Sequence, residues 1–217
     1  MQGAGCKRQG AGGRNLASCI LLYTRFFEFP VSRVVQVLLR VRERVPQAQL
    51  LVVGQGLFGE EKELFRLAAL SGLNVAHHAS GSTFDVSRST DAIIYRGLVP
   101  RAALPTCFAR ATLAIYPFAD TLVNRAKCPV KLTELLAAGV PVVAEAVGQN
   151  REYIRHGETG LLVPPGDVAA FSDAVTNLLE NAQLRERLGR AAARDVRERF
   201  GWERLVETAE RAYRAAE

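Results

Sequence analysis

The sequence predicts an α/β fold: a doubly wound parallel sheet with helices at its C-terminal end. Three observations lead there. From Cys19 onward, short apolar runs alternate with amphipathic stretches of helical period. Glycine and proline punctuate the joins, as at Gly72, Pro129 and Gly148. The tail from 182 to 216 carries Arg and Glu at three- and four-residue spacings, which is helical texture. Strands that alternate with helices pair in parallel, because each helix carries the chain back across the sheet.

The elements follow in order. CILLYTR (19–25) reads as a buried strand. PVSRVVQVLLRVRERV (30–45) reads as a helix opened by Pro30, with Val34, Val35, Val37, Leu38, Leu39, Val41 and Val45 as its apolar positions and a solvated basic outer face. AQLLVVG (48–54) is the second strand, and EEKELFRLAALSG (60–72) is a helix with an acidic first turn that stops at Gly72. A strand near 74–78 runs into the polar segment 78–91, read as an insertion or loop. AIIYRG (92–97) is a strand, ALPTCFARA (103–111) a helix and LAIYPF (113–118) a strand. PVKLTELLAAG (129–139) is a helix, VPVVAEA (140–146) a strand and REYIRHG (151–157) a short helix. LLVPPGD (161–167) closes the sheet and caps a helix over 168–180. Tyr95, Phe200 and Trp202 read as packing residues.

The chain has 217 residues, 48% of them hydrophobic. That suits one domain, 19–217, behind a disordered leader, 1–18. Such a domain buries a core without disulfide staples, and the apolar content excludes a disordered chain. No apolar run approaches the roughly 20 residues of a membrane span. Cys6, Cys19, Cys107 and Cys128 form no CxxC pair, which points to a reducing compartment and away from zinc.

Charge is unevenly placed. Residues 1–46 hold eight basic and two acidic groups, so the whole net charge of +6 lies there. A basic front suits an anionic partner, either a nucleotide phosphate or an acidic membrane surface. No aromatic platform or basic repeat accompanies it, which argues against nucleic acid.

In a doubly wound sheet the ligand sits beyond the carboxyl ends of the strands. The places to search are therefore Thr24–Arg25, Gly54–Gly56, Arg96–Val99, Pro117–Pro129 and Glu145–Asn150. The densest is NRAKCPVKLTELLAAGVPVVA (124–144), where Arg125, Lys127 and Lys131 surround a helix start at Pro129. A helix start offers free N–H groups and a positive dipole end to phosphate. Lys131 and Glu134 stand one turn apart on one face. The lysine suits a diphosphate and the carboxylate a ribose diol, although a plain surface ion pair has the same spacing. Arg25, a charge ending an apolar strand, suits a phosphate clamp or a solvated strand end. GQG (54–56) lets a ligand approach the backbone but lacks the acidic residue about 20 positions on that a dinucleotide fold needs. That argues against an oxidoreductase. His77 and His78 read as structural or exposed. No G-x-S-x-G elbow, H-E-x-x-H or Walker loop is present.

Taken in order, the strand-end Arg25, G-x-G, YRGLVP, K-x-x-E, AAGVPVVA and GETGLLVPPGD resemble the C-terminal, donor-binding half of retaining family 4 (group 1) glycosyltransferases, over roughly 19–217. The resemblance implies one Rossmann-like half of a GT-B fold. It implies a nucleotide-diphosphate sugar donor, a sugar or lipid-linked acceptor, retention, and no metal or cofactor. Arg25 and Lys131 then stabilise the diphosphate, with Lys131 covering for a lysine the family usually places shortly after the arginine. Glu134 holds the ribose. Those three are the candidate catalytic set. The base is expected near Arg96–Val99. Gly54, Gly56, Arg125 and the helix start Pro129–Val130 are expected against the donor. The family has two glutamates separated by seven residues, and the first position is Ala126 here. Asp120, Asn124 and Lys127 are the substitutes for sugar or phosphate contact. The family's N-terminal domain has no counterpart in residues 1–18. The alternative is thus a truncated or non-catalytic module that needs a separate N-terminal domain or self-associates through an exposed apolar face. The expected location is the cytoplasm, at or near the inner membrane face.

Overall fold

The computed structural model describes residues 18–78 and 89–215. All of the expected leader but Ser18, and most of the polar segment 78–91, lie outside the described residues. Seven strands form one sheet: β1 (Cys19–Tyr23), β2 (Gln49–Val53), β3 (Val75–His77), β4 (Ile93–Tyr95), β5 (Leu113–Tyr116), β6 (Val142–Glu145) and β7 (Leu161–Val163). Their order is β3-β4-β2-β1-β5-β6-β7, and every pairing is parallel. The helices are α1 (Val31–Arg44), α2 (Glu61–Leu70), α3 (Leu104–Arg110), α4 (Leu122–Ala126), α5 (Val130–Ala137), α6 (Asn150–Tyr153), α7 (Val168–Glu180), α8 (Ala182–Phe200) and α9 (Trp202–Arg214).

The central strands are largely apolar because both faces are covered. Ile20 and Leu22 of β1 face one core with Val34, Val35, Leu38 and Val41 of α1 and Phe171 and Val175 of α7. Cys19 and Leu21, one residue out of step, face a second core with Phe108 of α3, Leu132, Leu135 and Leu136 of α5, and Ala192 and Val196 of α8. The period of two divides each strand between two cores, so the doubly wound expectation holds.

Several boundaries differ from expectation for local reasons. Pro30 caps α1 rather than opening it, its ψ of 122° being extended. α4 was not foreseen: Thr121 caps it by accepting the Asn124 N–H at 3.2 Å. α6 is shorter than expected and stops at Tyr153. The tail is two helices, because the backbone is extended at Gly201. Asp167 caps α7 as expected, accepting from Ala170 at 2.9 Å.

Candidate functional site

The chain leaves β1 for β2 on one side, and β5 occupies the other side. The crossovers diverge there, so a crevice opens beyond the carboxyl ends of β1 and β5. The loop after β1 (24–30) and the loop after β5 (117–121) meet over it. Asn124 joins them: its amide nitrogen donates to the Glu28 carbonyl at 2.8 Å and to the Ala119 carbonyl at 2.9 Å. Ala119 N–H adds a third bond to the Glu28 carbonyl at 2.8 Å. On the other flank, Thr24 N–H donates to the Val53 carbonyl and Gly54 N–H to the Gly97 carbonyl. Gly54 has φ +127°, and a Cβ there would lie 1.8 Å from the Thr24 carbonyl oxygen. Only glycine permits this approach.

Cations gather at the crevice. Lys131, on the first turn of α5, reaches over the Tyr23 ring with its Nζ 5.7 Å from the ring centroid. Burial pushes its ammonium below the ordinary lysine range, with Arg25 and Lys127 adding repulsion against the pull of Glu28 and Glu134. Neither Arg25 nor Lys131 forms an ion pair among the described residues. Lys127 does, with Glu28 at 3.1 Å, and its Nζ stands 3.9 Å above the Phe27 ring. Burial, followed by the neighbouring Glu134 carboxylate, pushes the Tyr23 hydroxyl up to about 12. Lys131 and Glu134 therefore both address Tyr23 instead of pairing with each other, and the plain surface ion pair is not what forms.

The remaining candidates are placed as follows. Asp120 and Arg125 form an exposed two-point ion pair, at 2.5 and 2.8 Å, which holds the Asp120 carboxyl below its usual range. Asn124 is buried and its amide nitrogen donates to both loop carbonyls, so it clips the two loops together. Gly56 N–H is likewise taken, by the Glu61 carboxylate at 2.9 Å. Arg96 is buried at the end of β4, and Val99 packs beside the second core. Pro129 caps α5 and Val130 is exposed at its start.

The basic face of α1 needs a correction. Arg33 is not solvated: its Nη1 donates to both oxygens of Glu145, at 2.8 and 2.7 Å. Glu145, wholly buried at the end of β6, also accepts the Phe118 N–H at 2.5 Å and the Gly166 N–H at 2.6 Å. It thereby ties α1, the loop after β5 and the turn before α7 together behind the crevice. The available signal was a lone acid inside the apolar run VPVVAEA. A second correction concerns Trp202, expected in the packing, which is 80% exposed on α9. His77 packs edge-on to Phe65 and Tyr95, with centroids 4.6 and 5.7 Å away.

A family profile described as "Glycosyl transferases group 1" matches residues 20–181. The chain belongs to the group 1 glycosyl transferases. A phosphatidyl-myo-inositol mannosyltransferase of Mycobacterium leprae is 45% identical over 84 residues, 39% of this chain and 22% of that protein. A D-inositol 3-phosphate glycosyltransferase of Paenarthrobacter aurescens is 28% identical over 183 residues, 80% of this chain and 42% of its own. Anabaena HepE, solved in complex with UDP and glucose, superposes with a TM-score of 0.67 at 21% identity, over 90% of this chain and 48% of that one. The chain thus spans under half the length of each of these proteins. Among the described residues, no group of three His, Cys, Asp or Glu side chains is placed to hold a metal ion, and no helix is long and apolar enough to cross a membrane.

Proposed function

We propose that this chain is the donor-binding half of a retaining, metal-independent glycosyltransferase. The observation that carries the reading is the convergence of Arg25, Lys127 and Lys131 on the β1–β5 crevice, beside the start of α5. Sugar transfer from a nucleoside diphosphate sugar builds negative charge on the leaving diphosphate. Fixed cations with no carboxylate partner stabilise that charge without reorganising first. Arg25 and Lys131 meet this condition. Glu134, one helical turn from Lys131, is oriented toward the same face for a ribose diol.

Acceptor binding belongs, in this reading, to a second unit that faces the same strand ends. Phe27, Leu57, Phe58, Leu98, Leu122 and Val123 are exposed around that rim, which favours a module completed by another domain over one that turns over alone. Calorimetry with UDP, GDP and ADP, each with and without a chelator, tests the donor assignment. At least one nucleotide is expected to bind, unaffected by the chelator. Arg25→Ala and Lys131→Ala are each expected to weaken it about tenfold or more. Unchanged affinity in both variants would sink the assignment.

A further inference from the structure

Glu28 is a charged group of the crevice that the reading above leaves without a task. Its side chain is only 10% exposed, and its backbone carbonyl is held by Ala119 and Asn124. Oε1 takes the Lys127 ammonium at 3.1 Å. Oε2 is buried and accepts no hydrogen bond from the protein. The side chain lines a narrow cavity with Tyr23, Thr24, Phe118 and Lys131.

A buried carboxylate oxygen without a donor is costly, so such an oxygen points to a missing O–H or N–H group. Phosphate cannot supply it, because phosphate oxygens are acceptors of the same sign. A hydroxyl can. The ligand that fits cations and an open acceptor side by side carries an anion and, next to it, a hydroxyl. A sugar joined to a diphosphate has this chemistry. The donor-binding reading assigns the ribose hydroxyls to Glu134, one turn along α5 from Lys131, which leaves the transferred sugar for Glu28.

We propose that Glu28 is a specificity-determining residue whose Oε2 accepts a hydroxyl of the transferred sugar, in a place where no donor of the chain bonds to that oxygen. This rests on the donor-binding reading. The carboxylate comes from the loop after β1, the same loop that presents Arg25, so sugar and diphosphate are read from one segment.

Calorimetry on matched pairs tests it: UDP against UDP-glucose, GDP against GDP-mannose and ADP against ADP-glucose, with the parent chain, Glu28→Gln and Glu28→Asp. Gln keeps the shape and removes the charge. Asp keeps the charge and withdraws the oxygens by one methylene. The affinity ratio of sugar nucleotide to nucleoside diphosphate is expected to fall about tenfold or more in both variants, the value of one hydrogen bond to a charged acceptor. An unchanged ratio overturns the proposal, and so does a fall confined to Gln, which would report net charge alone. If the parent chain binds no member of any of the three pairs, the donor-binding reading itself fails. If it binds and the ratios stay fixed, only the role of Glu28 fails.

Discussion

Glu145→Gln is the perturbation that tests most directly how the crevice is held. The substitution keeps the shape and removes one charge. Glu145 accepts four hydrogen bonds, two from Arg33 and one each from Phe118 and Gly166, and is wholly buried. A glutamine has only one acceptor oxygen, so its amide NH₂ must face at least one N–H. Arg33 is left charged with its side chain 16% exposed. Removing one partner of a buried ion pair costs about 3–5 kcal/mol. Arg33 regains some hydration, which favours the lower end, about 3 kcal/mol. For a domain of this size each kcal/mol lowers the melting midpoint by about 2–4 °C, so a fall of about 6–12 °C is expected. Thermal and urea melts of Glu145→Gln, Arg33→Met and the double variant complete a cycle. The double variant is expected to be at least about 1 kcal/mol more stable than the sum of the singles predicts, because the stranded guanidinium is then gone. A single-variant loss below about 1 kcal/mol, the scale of an exposed pair, would refute the reasoning, as would additivity.

Three further outcomes follow from the same geometry. Gly54→Ala forces a Cβ against the Thr24 carbonyl at φ +127°, so denaturant melts should show a loss of about 2–5 kcal/mol; a variant as stable as its parent would refute the close approach. Lys131 is held below its ordinary value by burial, so the unfolded chain binds its proton more tightly. Stability should therefore rise with pH between that lowered value and about 10.5, and Lys131→Met should melt higher than the parent at pH 7, with the gap closing as pH approaches 10.5. A lower midpoint in that variant would contradict the desolvation argument. Cys128 is exposed, whereas Cys19 and Cys107 are buried and burial pushes the Cys19 thiol up to about 12. Alkylation with mass mapping should modify Cys128 well before those two, and comparable rates at Cys19 would overturn the buried placement.

The strand assignments were legible because parallel strands buried on both faces leave an unmistakable apolar run, and the helices because their apolar positions recur at helical period. α4 was not legible: it is five residues long, has no apolar face of its own, and exists because Thr121 caps it and Asn124 anchors it to two carbonyls of other segments. Trp202 was misplaced because an amphipathic stripe shows only that a face is apolar, not what covers it. α9 carries its stripe with no buried residue.

Sequence alone settled the sheet's parallel, doubly wound character, the cation-bearing start of α5 and the family to which the chain belongs. These depend on local periodicity and on short contiguous motifs, which the order of residues contains in full. Tertiary structure alone decided which charges are spoken for. Lys127 pairs with Glu28 across 99 positions and Arg33 with Glu145 across 112, while Lys131 and Glu134, three apart, do not pair at all. Sheet pairing brings distant segments within hydrogen-bond range, and burial sets the strength of each bond, so spacing along the chain cannot rank these ion pairs. The net charge of +6 located at the front of the sequence includes Arg25 but not Lys127 or Lys131, which lie in the stretch whose charges cancel in the sum.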